Sequence, residues 1–195
     1  MEPGHKINDR YEIIRLLGEG GMGNVYLVKD FVENRTIALK LIKEKFFSNK
    51  AIDRFKNEFK LVGQLKHPNI VKVYDLDVYH ETDTYFFTME YVEGEDLAQA
   101  YPKLSYNEKL EVLLQIARGL NYIHNRHIIH FDIKTDNIFL IRDGDSFRAK
   151  IMDFGLANFK EDFSGKVRGT LVYIAPEVLM KKEIDYLKSL SSYKD

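Results

Sequence analysis

Six residues, Gly18-Glu19-Gly20-Gly21-Met22-Gly23, separate two runs of strand formers, Tyr11 to Leu17 and Val25 to Val28. Glycine reaches backbone conformations closed to other residues, so this stretch reads as a turn, and the segment after it decides the architecture. Asn24-Val25-Tyr26-Leu27-Val28 has the composition of a strand. A dinucleotide-binding fold needs a helix at that point, with its N-terminus against the pyrophosphate, so that fold is excluded and a hairpin is expected. The G-x-G-x-x-G spacing alone is a weak signal: such a loop could fold over phosphates or could be a plain hairpin turn. A Walker loop is excluded, because Gly165-Lys166 is followed by Val167 where Ser or Thr should stand.

The rest of the chain extends the pattern. Tyr11 to Leu17, Val25 to Val28 and Thr36 to Ile42 read as a three-strand meander, with Glu33-Asn34-Arg35 as its second turn. Ile52, Phe55, Phe59 and Val62 recur at helical spacing over 51–65, and Pro68 is a stop signal. Strands fit 70–78 and 84–90. A second helix fits 106–124, with Leu110, Leu113, Leu114, Ala117 and Leu120 as its apolar stripe and Ser105 with Glu108 as a capping box. Asn137 to Arg142 and Arg148 to Met152 flank Asp143-Gly144-Asp145-Ser146 as a hairpin. Strands first and helices later give an α+β expectation with two lobes and a boundary near Tyr91 to Gly94.

Composition narrows the chemistry. Lys plus Arg number 29 against 30 Asp plus Glu, a net charge of -1, so there is no general field for nucleic acid or anionic lipid, and any phosphate site must be local. Without cysteine there is neither disulfide nor thiolate chemistry, which fits a reducing compartment. No signal-like or membrane-length apolar run is present in the sequence, so the expectation is a soluble cytoplasmic segment.

Several polar residues sit where burial demands a reason. Lys40 lies inside Ile37-Ala38-Leu39-Lys40-Leu41-Ile42, on the same strand face as Ala38 and Ile42. Glu58 lies on or beside the apolar face of the 51–65 helix. Unpaired burial of either would cost several kcal/mol, so an ion pair between strand and helix is the economical inference. The alternative is two side chains reaching solvent at the edges of their elements. His130-Phe131-Asp132-Ile133-Lys134-Thr135-Asp136-Asn137 forms a polar loop between apolar elements, and Asp153-Phe154-Gly155 ends the next strand. Asp153 and the Asn137 amide oxygen offer the hard oxygen ligands magnesium prefers. Two acids alone would also suit a glycosidase, but Lys134, Asn137, the glycine loop and Lys40 have no place there. A bland turn or cap role stays open for Asp132 or Asp153 taken singly. His124, His127 and His130 raise a zinc reading, which the predicted end of the helix near Asn125 disfavours by scattering the rings.

Taken together, these residues resemble the eukaryotic-like protein kinase family of the serine/threonine type, from about Tyr11 to Glu177. The resemblance implies a two-lobed fold: a small lobe over 11–90 that is mainly antiparallel sheet with one helix, a hinge at 91–94, and a mainly helical, incomplete large lobe over 95–195. It implies ATP and Mg²⁺ as cofactors and a Ser/Thr-bearing protein as substrate. Leu17, Gly18, Glu19, Gly20, Gly21, Met22, Gly23, Asn24 and Val25 would cover the nucleotide. Lys40 would hold the α- and β-phosphates while paired with Glu58. Val25, Ala38 and Phe139 would sandwich adenine, and Glu90 and Val92 would meet its edge through the backbone behind Met89. Asp132 would orient the substrate hydroxyl and accept its proton, Lys134 would neutralise the γ-phosphate, and Asn137 with Asp153 would hold the metal. Thr170, in Gly169-Thr170-Leu171-Val172-Tyr173, would contact Asp132 and Lys134, and Ala175-Pro176-Glu177 would close the activation segment.

Two departures accompany the resemblance. Phe131 stands where many members carry Arg, so activity independent of activation-loop phosphorylation is expected, with Ser164 the single hydroxyl residue between Gly155 and Gly169. The sequence stops at Asp195, where the family continues with the central large-lobe helix, so the 106–124 stripe with Leu113, Leu114 and Ala117 is expected to be uncovered. Three functions compete: an active phosphotransferase, a nucleotide-binding interaction module, and an inert fragment.

Overall fold

The computed structural model describes residues 1–153 apart from Met22, residues 44–48, Phe131 and Asp145, and leaves undescribed the side chains of Asn49, Lys50, Ala51, Arg54 and Glu58. Thr170, Ser164 and Ala175-Pro176-Glu177 therefore lie outside the described residues, as does the Glu58 side chain. The described chain divides into two compact units, Met1–Gly63 with Lys72–Tyr91, and Gln64–Val71 with the residues from Val92 onward.

The first unit is a six-stranded sheet in the order β1-β2-β3-β4-β6-β5. Its strands are β1 (Lys6–Ile7), β2 (Tyr11–Glu19), β3 (Gly23–Asp30), β4 (Arg35–Ile42), β5 (Val73–Tyr79) and β6 (Thr84–Met89), all paired antiparallel. The expected meander is present. β3 and β4 run in unbroken register from Gly23 opposite Ile42 to Asp30 opposite Arg35. A Cβ on Gly23 would lie 2.0 Å from the Leu41 carbonyl oxygen, so only glycine permits the two strands to meet at that end. Helix α1 (Asn49–Gly63) buries Phe55 and Val62. The Phe55 and Phe59 rings pack on Phe87 of β6 at 6.3 and 5.9 Å between centroids.

Alternate residues of β2, β3 and β4 turn inward with Tyr79 and Phe86 to form the core of this unit, which includes Ile7, Ile13, Val28 and Leu39. The sheet's two edge strands are tied by side chains. Asn8, in the left-handed region at φ 49°, donates to the Val78 carbonyl at 2.7 Å, and its Oδ1 accepts from the His80 N–H at 3.2 Å. His5 Nε2 lies 2.8 Å from the Tyr79 hydroxyl, which itself donates to Glu81. Burial, helped by Glu81, pushes the Tyr79 hydroxyl up to about 12.

One ion cluster is anchored in the sheet. Asp30 is fully buried and accepts from Arg10 Nε and Nη2 at 3.0 and 2.9 Å and from the Val32 and Glu33 N–H groups. Burial alone would raise the Asp30 carboxyl, but these four donors hold it below its ordinary value. Arg10 also reaches Asp75 at 2.9 Å.

In the second unit, β7 (Glu95–Asp96), β8 (Ile138–Asp143) and β9 (Ser146–Ile151) form a three-stranded antiparallel sheet. Short helix α2 (Leu97–Ala100) is capped by Asp96, and α3 (Tyr106–His124) begins with the expected reciprocal capping box of Ser105 and Glu108. The buried stripe of α3 corrects the expected one. Val112, Ile116, Gly119, Leu120 and Ile123 are buried, whereas Leu110, Leu113 and Leu114 are about half exposed, at 50%, 49% and 46%, and Ala117 is exposed, so Leu113, Leu114 and Ala117 are uncovered as expected. The helix is apolar on two adjacent faces, and close packing selects the one with the smallest residue. A Cβ on Gly119 would come within 2.9 Å of Ile151 Cδ1.

The strand expected over 70–78 begins only at Val73. The preceding residues belong to the other unit: the Val71 N–H donates to Ile151 O, and the Ile151 N–H donates to Asn69 O, both at 2.9 Å. Asn69 Nδ2 bonds Gln115 Oε1 and Ala149 O, also at 2.9 Å, and so fixes this segment onto α3 and β9.

The Asp30 cluster yields a test. Arg10→Met leaves a fully enclosed carboxylate without its guanidinium, and should lower the unfolding free energy by about 2–3 kcal/mol. That is less than for a deeply buried pair, because solvent reaches Arg10. Urea denaturation of the two proteins side by side checks it, and Asp30→Asn should cost less than Arg10→Met.

Candidate active site

The residues singled out in the sequence divide between the two units. Leu17 to Val25, Ala38, Lys40, Met89 and Glu90 are in the first, while Val92, Asp132, Lys134, Asn137, Phe139 and Asp153 are in the second.

In the first unit the glycine-rich stretch is a closed turn between β2 and β3. The Gly20 N–H donates to Gly23 O at 2.9 Å, and the Gly23 N–H returns to Gly20 O at 3.3 Å. Around Gly18 and Gly21 a Cβ would meet nothing within 4 Å. Glycine there is not demanded by packing, in contrast to Gly23. Lys40 is 6% exposed and pairs across the sheet with Val25 of β3 and Phe87 of β6. Ala38 lies opposite Leu27 and Met89. The strand interior thus presents Ala38, Val25 and Met89 as apolar neighbours and Lys40 as the buried cation of β4, whose other cation, Arg35, stands at the strand's start. The Glu90 N–H donates to Lys72 O at 2.8 Å. Leu17, Gly18, Asn24 and Val25 are half-buried, and Glu19, Gly20 and Gly21 are exposed. Met22 lies outside the described residues.

In the second unit the polar loop after α3 is assembled around one histidine. His130 is 1% exposed, and its Nδ1 accepts from the Asp132 N–H at 3.3 Å. The neutral ring therefore carries its proton on Nε2, which donates to the Met152 carbonyl at 2.7 Å. Burial holds the imidazole below its ordinary value, against the opposing pull of Met152 O, Asp153 and Asp132. The Met152 N–H closes the frame on Asn137 O at 2.8 Å.

Within that frame Asn137, buried in a 3-10 turn (Thr135–Asn137), donates through Nδ2 to the Asp132 carbonyl at 2.7 Å and to Asp132 Oδ2 at 3.1 Å. Lys134 Nζ stands 3.6 Å from the same Oδ2, with both side chains partly exposed. Three of the predicted residues thus meet at one carboxylate. Asp153 follows Met152 directly and sits at φ 57°, a left-handed conformation costly for a residue with a Cβ and found where surrounding structure imposes it. Val92 is buried, and Phe139 is half-buried on β8, opposite Asp96 and Lys150.

The donor set suits a hard divalent cation. Nδ2 of Asn137 is committed to Asp132, and the Asn137 amide oxygen and the Asp153 carboxylate are the hard oxygen groups of this set. Two protein ligands are enough for magnesium, which keeps several waters.

The contact of His130 with Met152 escapes any periodicity, because it joins residues 22 apart in sequence. Asn69 and Gln115, which brace β9, carried no sequence signal at all.

The pattern described as "Protein kinase domain" matches residues 11–191. The chain belongs to the protein kinase family. Its fold is α+β and kinase-like, with an antiparallel small-lobe sheet carrying one helix. It is 37% identical over 182 residues to the Bacillus subtilis serine/threonine-protein kinase PrkC, covering 89% of this chain and 27% of that one. A probable serine/threonine-protein kinase of Clostridium perfringens is 34% identical, with 97% of this chain and 28% of that protein covered. The chain therefore spans about a quarter of the length of these relatives. The crystal structure of the Mycobacterium tuberculosis PknI kinase domain superposes with a TM-score of 0.76 at 27% identity, covering 98% of this chain and 73% of that one. The family generally uses ATP and Mg²⁺. Among the described residues, no helix is long and apolar enough to cross a membrane.

The His130 contacts imply a pH dependence. Its folded-state value lies below the unfolded one near 6.5, so below that pH the unfolded chain binds the extra proton. Stability should be full above about pH 6.5 and fall as pH drops, by up to ~1.4 kcal/mol per pH unit from this residue. Unfolding midpoints between pH 7.5 and 5 should decline more steeply for the wild type than for His130→Gln.

Proposed function

We propose that the chain is one protein kinase domain that transfers the γ-phosphoryl group of ATP to a Ser or Thr hydroxyl of a protein. Its small lobe spans 11–90, its hinge 91–94 and its large-lobe portion 95–195. The observation that carries this reading is the convergence of Lys134 and Asn137 on the Asp132 carboxylate. An acid so bracketed is aimed by its neighbours, as a base for a hydroxyl must be. The names of the Bacillus subtilis and Clostridium perfringens relatives, both serine/threonine-protein kinases, support that acceptor over tyrosine.

In this reading the substrate oxygen attacks the γ-phosphorus, its proton passes to Asp132 Oδ, and the bond from phosphorus to the bridging oxygen of ADP breaks. Lys134 neutralises charge on the transferring group. Lys40 positions the α- and β-phosphates, with Glu58 as its proposed ion-pair partner, and the Gly18–Gly23 loop lies over them. Leu17, Val25, Ala38 and Phe139 enclose adenine, while the Glu90 carbonyl and the Val92 backbone, behind Met89, meet its edge. Thr170 is assigned to hold Asp132 and Lys134 in place. Asn137 and Asp153 would hold magnesium, which when bound supplies charge neutralisation between the phosphates. We place the reaction in the cytoplasm, in keeping with a cysteine-free chain.

Transfer from radiolabelled ATP to a generic protein substrate tests the proposal. Lys40→Met and Asp153→Asn should abolish detectable transfer. Asp132→Asn should lower kcat by about 10²–10⁴ while leaving the ATP KM within a few-fold, since the carboxylate acts on the hydroxyl. Wild-type-like turnover in any of the three would overturn the site assignment. A wild type stabilised by nucleotide but unable to transfer would favour the interaction-module reading.

A further inference from the structure

β4 carries a second lysine toward the glycine turn. Lys43 lies just beyond the end of β4, and its exposed Nζ donates to the Gly20 carbonyl at 2.9 Å. The same carbonyl is the far end of the turn, where it accepts the Gly23 N–H at the longer distance of 3.3 Å. The other foot of the loop is fixed by packing, because Gly23 presses on the backbone of Leu41 and Ile42 with no room for a Cβ. One foot of the turn is therefore held by the β3–β4 ladder. The tip, free of packing at Gly21, is joined to β4 among the described residues by this ammonium.

We infer that Lys43 is a positioning residue of the glycine loop: its ammonium tethers Gly20 to the end of β4 and sets the height of the loop over the nucleotide. The inference rests on the proposed ATP reading for its functional consequence, though not for the tether itself. A charge-assisted hydrogen bond to a carbonyl is stronger than a neutral one, and lysine's flexible stem lets the contact follow small loop movements. The loop's own amide bond at that carbonyl is long, so removing the ammonium leaves the Gly20 carbonyl with the weaker contact alone, while the Gly20 N–H stays on Gly23 O at 2.9 Å. Because Lys43 meets a backbone carbonyl and not a reacting group, its loss should weaken nucleotide binding rather than slow transfer.

The test uses Lys43→Met and Lys43→Arg in the full chain, with two readouts. Amide hydrogen exchange of the nucleotide-free protein should be faster in Lys43→Met across residues 18–24, unchanged in β5 and β6, and close to wild type in Lys43→Arg. In steady-state kinetics Lys43→Met should raise the ATP KM about five-fold, the size of one exposed charge-assisted hydrogen bond, with kcat within about twofold. Lys43→Arg should recover most of that loss. Unchanged loop exchange overturns the tether. Faster exchange throughout the small unit reveals general destabilisation and overturns it too. Faster loop exchange with an unaltered KM, or a lowered kcat at constant KM, overturns the positioning role. A wild type that transfers no phosphate sinks the kinase reading instead, and the exchange comparison then decides the tether by itself.

Discussion

The uncharged imidazole of His130 is the contact on which the loop of the candidate site depends. One ring nitrogen takes the Asp132 N–H, and the other gives its hydrogen to Met152 O, so a loop after α3 and the end of β9 become one piece. A protonated ring could not accept the Asp132 N–H. The enclosure that keeps the ring neutral is thus what makes the bridge possible. Asn137 repeats the device, with its backbone carbonyl on Met152 and its side-chain amide on Asp132. Asp132 and Asn137 are therefore positioned by hydrogen bonds that tie their loop to Met152, the residue before Asp153.

The small unit solves a different problem, that of holding a cation inside a sheet. Lys40 sits mid-strand between β3 and β6, and that sheet is fixed at both edges and at one end. The clasp from Asn8 and His5 to the β5–β6 hairpin ties edge to edge, and Asp30 with Arg10 and Asp75 ties strand end to strand end. Arg35 adds its guanidinium over the Tyr74 ring at 3.8 Å. A sheet so braced keeps its register, and register puts Lys40 opposite Val25, two residues after Gly23.

Features encoded by neighbours in sequence were legible. The meander, the capping box of Ser105 and Glu108, the α3 boundaries and the β8–β9 hairpin follow from strand composition, one four-residue motif, helical periodicity and a turn-rich spacer. Lys40 announced itself through its apolar surroundings, and it is buried. The grouping of Asp132, Lys134 and Asn137 was implied by their crowding in one loop, since residues two to five apart in a tight turn have little room to separate.

What the sequence could not settle is which of two good surfaces would be used. Helix α3 carries leucines on one face and Val112, Ile116, Gly119 and Ile123 on the next, and periodicity pointed to the leucines. The close approach of Ile151 to Gly119 decided it, a matter of shape between residues 32 apart in sequence. Residues 69–71 read as the start of a strand, yet Asn69 found acceptors on Gln115 and Ala149, and the segment left the sheet for the other unit. By itself the sequence determined the elements, the family and the chemical groups, because local propensity and motif spacing are properties of near neighbours. Only the tertiary structure decided which faces pack and which tautomer His130 adopts, because each depends on a hydrogen bond or contact from a distant part of the chain.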